Sequence, residues 1–85
     1  MEIRYTKQFE KGKLAISRYQ DSDWIQREQL YRVKSVGAKL VTLEEIWPNP
    51  NAYAQTIRKK LRIYGNTAAV WIAPAFVVPC EEVAK

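Results

Sequence analysis

The sequence predicts a small α+β domain, with a β-hairpin first, two or three short helices in the middle and a strand pair at the end. Three observations lead there: apolar alternation over residues 3–19, a capping box before a proline pair with helical apolar spacing after it over 42–64, and a nearly unbroken apolar run over 67–78. The 85 residues are 47% hydrophobic and 27% charged, enough for one core and no more. Residues 1–85 therefore read as a single domain. Within it, 1–38 hold the hairpin and an ambiguous segment, 39–83 hold the helices and the strand pair, and 81–85 form a loose tail.

The hairpin rests on Ile3 and Tyr5 alternating with Arg4 and Thr6, and Leu14 and Ile16 alternating with Ala15 and Ser17, around a turn at Gly12. Asp21, Ser22 and Asp23 look like the capped start of a helix leading into Trp24 and Ile25, with acids at the positive end of its dipole. Leu30 to Val36 fits a helix or a strand, since Tyr31 and Val33 alternate with Arg32 and Lys34. Lys39 to Leu43 suggests a short extended stretch after Gly37.

Thr42, Leu43, Glu44 and Glu45 have the spacing of a capping box, predicting a short helix through Trp47 that Pro48 stops. Asn49 can cap a second helix over 50–64, with Pro50 in its first turn. Ala54, Ile57, Leu61 and Tyr64 fall on one face of that helix, Gln55, Arg58, Lys59 and Arg62 on another, and Gly65 is placed to end it. Beyond it, Pro74 divides the apolar run into two short strands.

Composition removes several function classes. Histidine is absent and Cys80 is the one cysteine, so neither a disulfide nor a metal site is expected, and no cofactor. Glycines 12, 37 and 65 are too scattered for a phosphate loop, and the two acid pairs are explained as helix starts, so an enzyme is not expected. Cys80, between Pro79 and Glu81, reads as an inert thiol. No apolar run is long enough to span a membrane and no signal peptide is apparent, which predicts a cytoplasmic protein.

The net charge is +5, and no acidic residue occurs from Ile46 to Cys80, while Arg58, Lys59, Lys60 and Arg62 all do. Such a localised positive field suits a partner rich in phosphate or carboxylate. The alternative is an ordinary solvated face.

A resemblance sharpens that expectation. The order short helix, proline turn, basic helix, strand pair is that of winged helix-turn-helix domains, and LVTLEEIW at 40–47 with TIRK at 56–59 resembles the small phage excisionases. Lys60 stands where that family commonly has Trp, and the first 38 residues have no counterpart in it. The resemblance implies duplex DNA as partner, with Arg58, Lys59 and Arg62 facing it, Gln55 reading a base edge and Asn66 in the wing turn.

Two other readings stay open. In one, a small protein-binding module docks its basic and aromatic surface on an acidic partner, with self-association also allowed. In the other, a sheet binds single-stranded nucleic acid through Trp24, Trp71 or Tyr31 beside Arg32 and Lys34.

Overall fold

The computed structural model describes residues 2–47 and 55–83, and among them it is all β. Eight strands, β1 (Ile3–Tyr5), β2 (Leu14–Gln20), β3 (Gln26–Val36), β4 (Leu40–Trp47), β5 (Thr56–Lys60), β6 (Arg62–Tyr64), β7 (Thr67–Ile72) and β8 (Ala75–Glu82), follow one another without a helix. The sheet runs β5-β4-β3-β2-β8-β7-β6, every pairing is antiparallel, and β1 adds to β8.

The expected α+β fold is therefore overturned, and with it the winged helix-turn-helix and the excisionase resemblance. Thr42, Leu43, Glu44 and Glu45 cap no helix but lie in β4, where Val41 and Leu43 are fully buried and Thr42 and Glu44 alternate with them. The predicted helix over 50–64 is extended wherever it is described, as β5 and β6; residues 48–54, with the proline stop and the Asn49 cap, lie outside the described residues. Gly65 ends no helix either. It takes φ +65° at the first central position of the two-residue turn joining Tyr64 to its partner Thr67, the place where such hairpins call for glycine.

The N-terminal half differs in pairing. β1 and β2 do not pair with each other: β1 joins β8, and β2 lies between β3 and β8. Asp21 starts no helix; it organises the β2–β3 turn. The undecided segment is β3, whose bulges after Leu30 and near Val33 let an 11-residue strand bend around the molecule. Glu81 and Glu82, read as tail, belong to β8. The C-terminal pair is β7 and β8, joined by a cis peptide at Ala73–Pro74. Pro79 is inside paired β8, where one edge passes from β7 to β1 and a missing N–H costs no ladder bond.

The sheet closes almost fully into a barrel. Residues 56–64 are one extended stretch whose first part pairs with β4 and whose last part pairs with β7. Leu61, between the two parts, donates its backbone N–H to Lys39 O at 2.8 Å. Closure hides most of the edge that an open sheet would expose. Inside, Ala15, Tyr31, Val33, Val41, Leu43, Ala68, Val70 and Val77 form the core, with Phe9 joining from the β1–β2 connection and Ile57 and Leu61 packing against it. A second cluster, Leu14, Ile16, Leu30 and Cys80, lies on the other face of β2, β3 and β8.

Candidate functional site

Alternation decides what β5 and β6 offer. Ile57 and Leu61 pack on the interior, so Thr56, Arg58, Lys60, Arg62 and Tyr64 point outward along one line. The cross-strand partners agree: Arg58 pairs with Thr42 and Lys60 with Leu40, whereas Ile57 and Lys59 sit opposite buried Leu43 and Val41. Successive cations on this face are about 7 Å apart, two strand residues each.

The ion pairs among the described residues lie elsewhere, and Lys7, Lys11, Arg32, Lys39 and Lys59 join this line in having none. Arg4 and Lys13 meet Glu81, Arg18 meets Glu28 at 2.7 Å, Arg27 meets Asp21 at 2.7 Å, and Lys34 meets Glu44 at 3.2 Å. Among the described residues, Arg58, Lys60 and Arg62 have no ion-pair partner; Arg58 Nε only approaches the Thr42 hydroxyl at 3.4 Å. Glu44, opposite Thr56 on neighbouring β4, pairs with Lys34 rather than with Arg58.

At the end of this cationic line lies an aromatic cluster. Phe76 packs edge-to-face with Tyr64, centroids 5.1 Å apart at 71°, and with Trp71, 5.0 Å at 67°. Tyr64, Trp71 and Phe76 are 51%, 46% and 43% exposed, so about half of each residue faces solvent. Ala69 shares their face of β7, and its small side chain lets rings from β6 and β8 meet across that strand.

Of the residues the sequence nominates, Arg58 and Arg62 share this face. Lys59 is exposed but projects on the opposite face of β5. Gln55 lies just before β5, its carbonyl accepting from Glu45 N at 3.0 Å, and Asn66 occupies the β6–β7 turn. Sequence reasoning misses Lys60, Tyr64 and Phe76 as site residues. The readable signal was period-two spacing at 58, 60, 62 and 64. For the sheet-binding alternative, Tyr31 is buried, Arg32 donates to Gly12 O and Lys34 is paired, leaving Trp71 and Trp24.

Trp24 is the other conspicuous side chain. It is 80% exposed at the β2–β3 tip, with φ +63°, a region bulky residues rarely enter. Asp21 holds the turn: Oδ1 accepts from Asp23 N and Ile25 N, and Oδ2 from Arg27. The Arg27 bond leads the contacts that lower the Asp21 pKa, as the Arg4 bond does for Glu81.

The remaining chemistry is muted. Burial pushes the Cys80 thiol up to about 11 and the Tyr31 phenol up to about 12. A shallow depression of about 230 Å³ is bordered by Lys13 and Glu81, which face one another at 4.0 Å. Among the described residues, no group of three or more Cys, Asp or Glu is placed to hold a metal ion, and no helix is long and apolar enough to cross a membrane. No protein-family model, curated protein or solved structure matches the chain.

Proposed function

We propose that this chain is a nucleic-acid-binding domain that works by binding, through the outward face of β5 and β6 and the adjoining rings. The observation that carries the reading is the set of Arg58, Lys60 and Arg62, alternating along one outward face and without carboxylate partners among the described residues. Cations already neutralised by neighbours have little to exchange with a phosphate. Unpaired ones release counterions from the nucleic acid and supply most of the affinity. The side-chain inventory, with no histidine and a thiol held protonated by burial, supports binding rather than catalysis. The cytoplasm is part of this proposal, and a lone free thiol is compatible with it.

A second reading draws on the rings: Trp, Tyr and Arg together are the composition of protein-docking hot spots, so an acidic protein surface is the rival partner.

Titrating labelled oligonucleotides between about 50 and 200 mM salt separates the two. Three phosphate contacts give a slope of log affinity against log salt of about −2 on a single strand and nearly −3 on a duplex. The triple variant Arg58→Gln/Lys60→Gln/Arg62→Gln should flatten that slope and weaken binding about 100-fold at 0.1 M salt. Equal affinity of wild type and variant would refute the reading.

A further inference from the structure

We infer that the nucleic acid this face takes is single-stranded, its phosphates on Arg58, Lys60 and Arg62 and its bases against Tyr64, Phe76 and Trp71. The inference rests on the nucleic-acid reading and narrows it.

Two geometric facts carry it. First, the cations share the outward face of the 56–64 stretch on the barrel wall, which changes its pairing partner from β4 to β7 at Leu61. From Arg58 to Tyr64 the strand advances about 20 Å, the scale of a short extended oligonucleotide of about four nucleotides, and the ladder's even step suits the repeat of a single backbone. Reading a duplex from its major groove calls for an element that enters it, a helix or a protruding two-stranded ribbon. These three cations lie instead along the wall strand that closes the barrel, and no helix occurs among the described residues.

Second, the rings lie where the ladder ends, on the same face. In an edge-to-face pair, the ring that offers its edge keeps both faces clear of its partner, and all three residues of the cluster are about half exposed. A base paired and stacked inside a duplex has no free face to meet it. An unstacked base does, and stacking of this kind is worth roughly 5- to 150-fold in affinity per base while discriminating weakly among sequences. Arg62 stands two residues before Tyr64 on that face, so the last phosphate contact and the first ring are neighbours.

The division of labour makes the test specific. Fluorescein-labelled twelve-nucleotide oligo-dT, its oligo-rU counterpart, an abasic strand of the same length and a twelve-base-pair duplex are titrated against the full chain. The variants are Trp71→Leu and Phe76→Leu, which keep apolar cover over β7 while removing the π-face, and Arg58→Gln/Lys60→Gln. At least one of the dT and rU strands should bind at least 10-fold more tightly than both the abasic strand and the duplex, and binding should quench Trp fluorescence; the tighter of the two names the sugar. The leucine variants should lose roughly 10-fold on that strand with the salt slope unchanged, whereas the charge variant should lower the slope by more than one.

Duplex binding that equals or exceeds single-strand binding, with the leucine variants silent, overturns this inference and leaves the nucleic-acid reading standing. Binding of every one of these probes no tighter than heparin, titrated alongside as a polyanion without bases, overturns both. Should Trp71→Leu lose its native circular dichroism, Phe76→Leu and the abasic strand still decide the matter.

Discussion

The middle of the sheet path and its two end strands, β5 and β6, carry their charges differently. Around β1, β2 and β3, Arg4, Arg18, Arg27 and Lys34 each close onto a carboxylate, and Arg18 additionally lies over the Tyr5 ring with its centroid 5.7 Å away. Along β5 and β6, cations of the same kind face outward unpaired, with half-exposed rings beside them. The lesson is that a net charge of +5 says little until the fold shows which cations are already neutralised. Paired surface cations contribute modestly to stability, whereas unpaired ones in a line make a potential.

The largest expected effect follows directly. Removing the three outward cations should cost about 100-fold in oligonucleotide affinity at 0.1 M salt. The same loss of charge through Arg4→Gln/Arg18→Gln/Arg27→Gln should change affinity by less than about threefold, since those groups are already satisfied. Matching losses in both triples, measured by fluorescence anisotropy, would mean that overall charge matters and position does not.

A smaller contrast concerns the two hairpin turns. Gly65 adopts a positive φ without steric cost, while Trp24 adopts one at a cost of about 1–2 kcal/mol and recovers little by burial. Trp24→Gly should therefore raise the midpoint of thermal unfolding by a few degrees, and Asp21→Ala, which removes the acceptor for the turn, should lower it. A drop with Trp24→Gly would show that the indole is held by contacts worth more than the strain.

Alkaline titration probes the buried side of the comparison. Cys80 and Tyr31 ionise in the folded state near pH 11 and 12, against ordinary values of 9 and 10. The unfolded chain loses these protons first, so stability should be flat at neutral pH and fall as pH rises from about 9 to 12. Native Cys80 should resist thiol reagents at pH 8 and react once denaturant is added. At the acid end, Asp21 and Glu81 have lowered values, so their contribution is present above their ordinary pKa and is lost as pH falls below about 4.

How far the sequence could be read depends on which periods competed. At 67–78 the β-branched and aromatic content, with Pro74 as a break, pointed to strands, and β7 and β8 are there. At 56–64 two periods overlapped. Ile57, Leu61 and Tyr64 fit a helix, but Ile57 and Leu61 fit a strand equally, sharing their parity with Lys59 and Ile63, both of which are exposed. Barrel closure, a non-local demand, decides between them. The capping-box spacing at Thr42 and Glu45 failed for the same reason: Val41 and Leu43 are more valuable inside the core than Thr42 is as a cap. The positive charge of the site was legible before its geometry was, because composition survives a change of period. Which lysine belongs to it was not, since Lys59 and Lys60 exchange places when a helix becomes a strand.

That exchange provides the smallest and most direct test. Lys59→Gln and Lys60→Gln remove identical charges from adjacent residues, and the salt dependence of oligonucleotide binding is measured for each. Lys60→Gln should lower the slope by about 0.7 and weaken binding about fivefold at 0.1 M salt, with Lys59→Gln close to wild type. Equal effects from the two, or a larger one from Lys59→Gln, would contradict the outward line of cations on which the account depends.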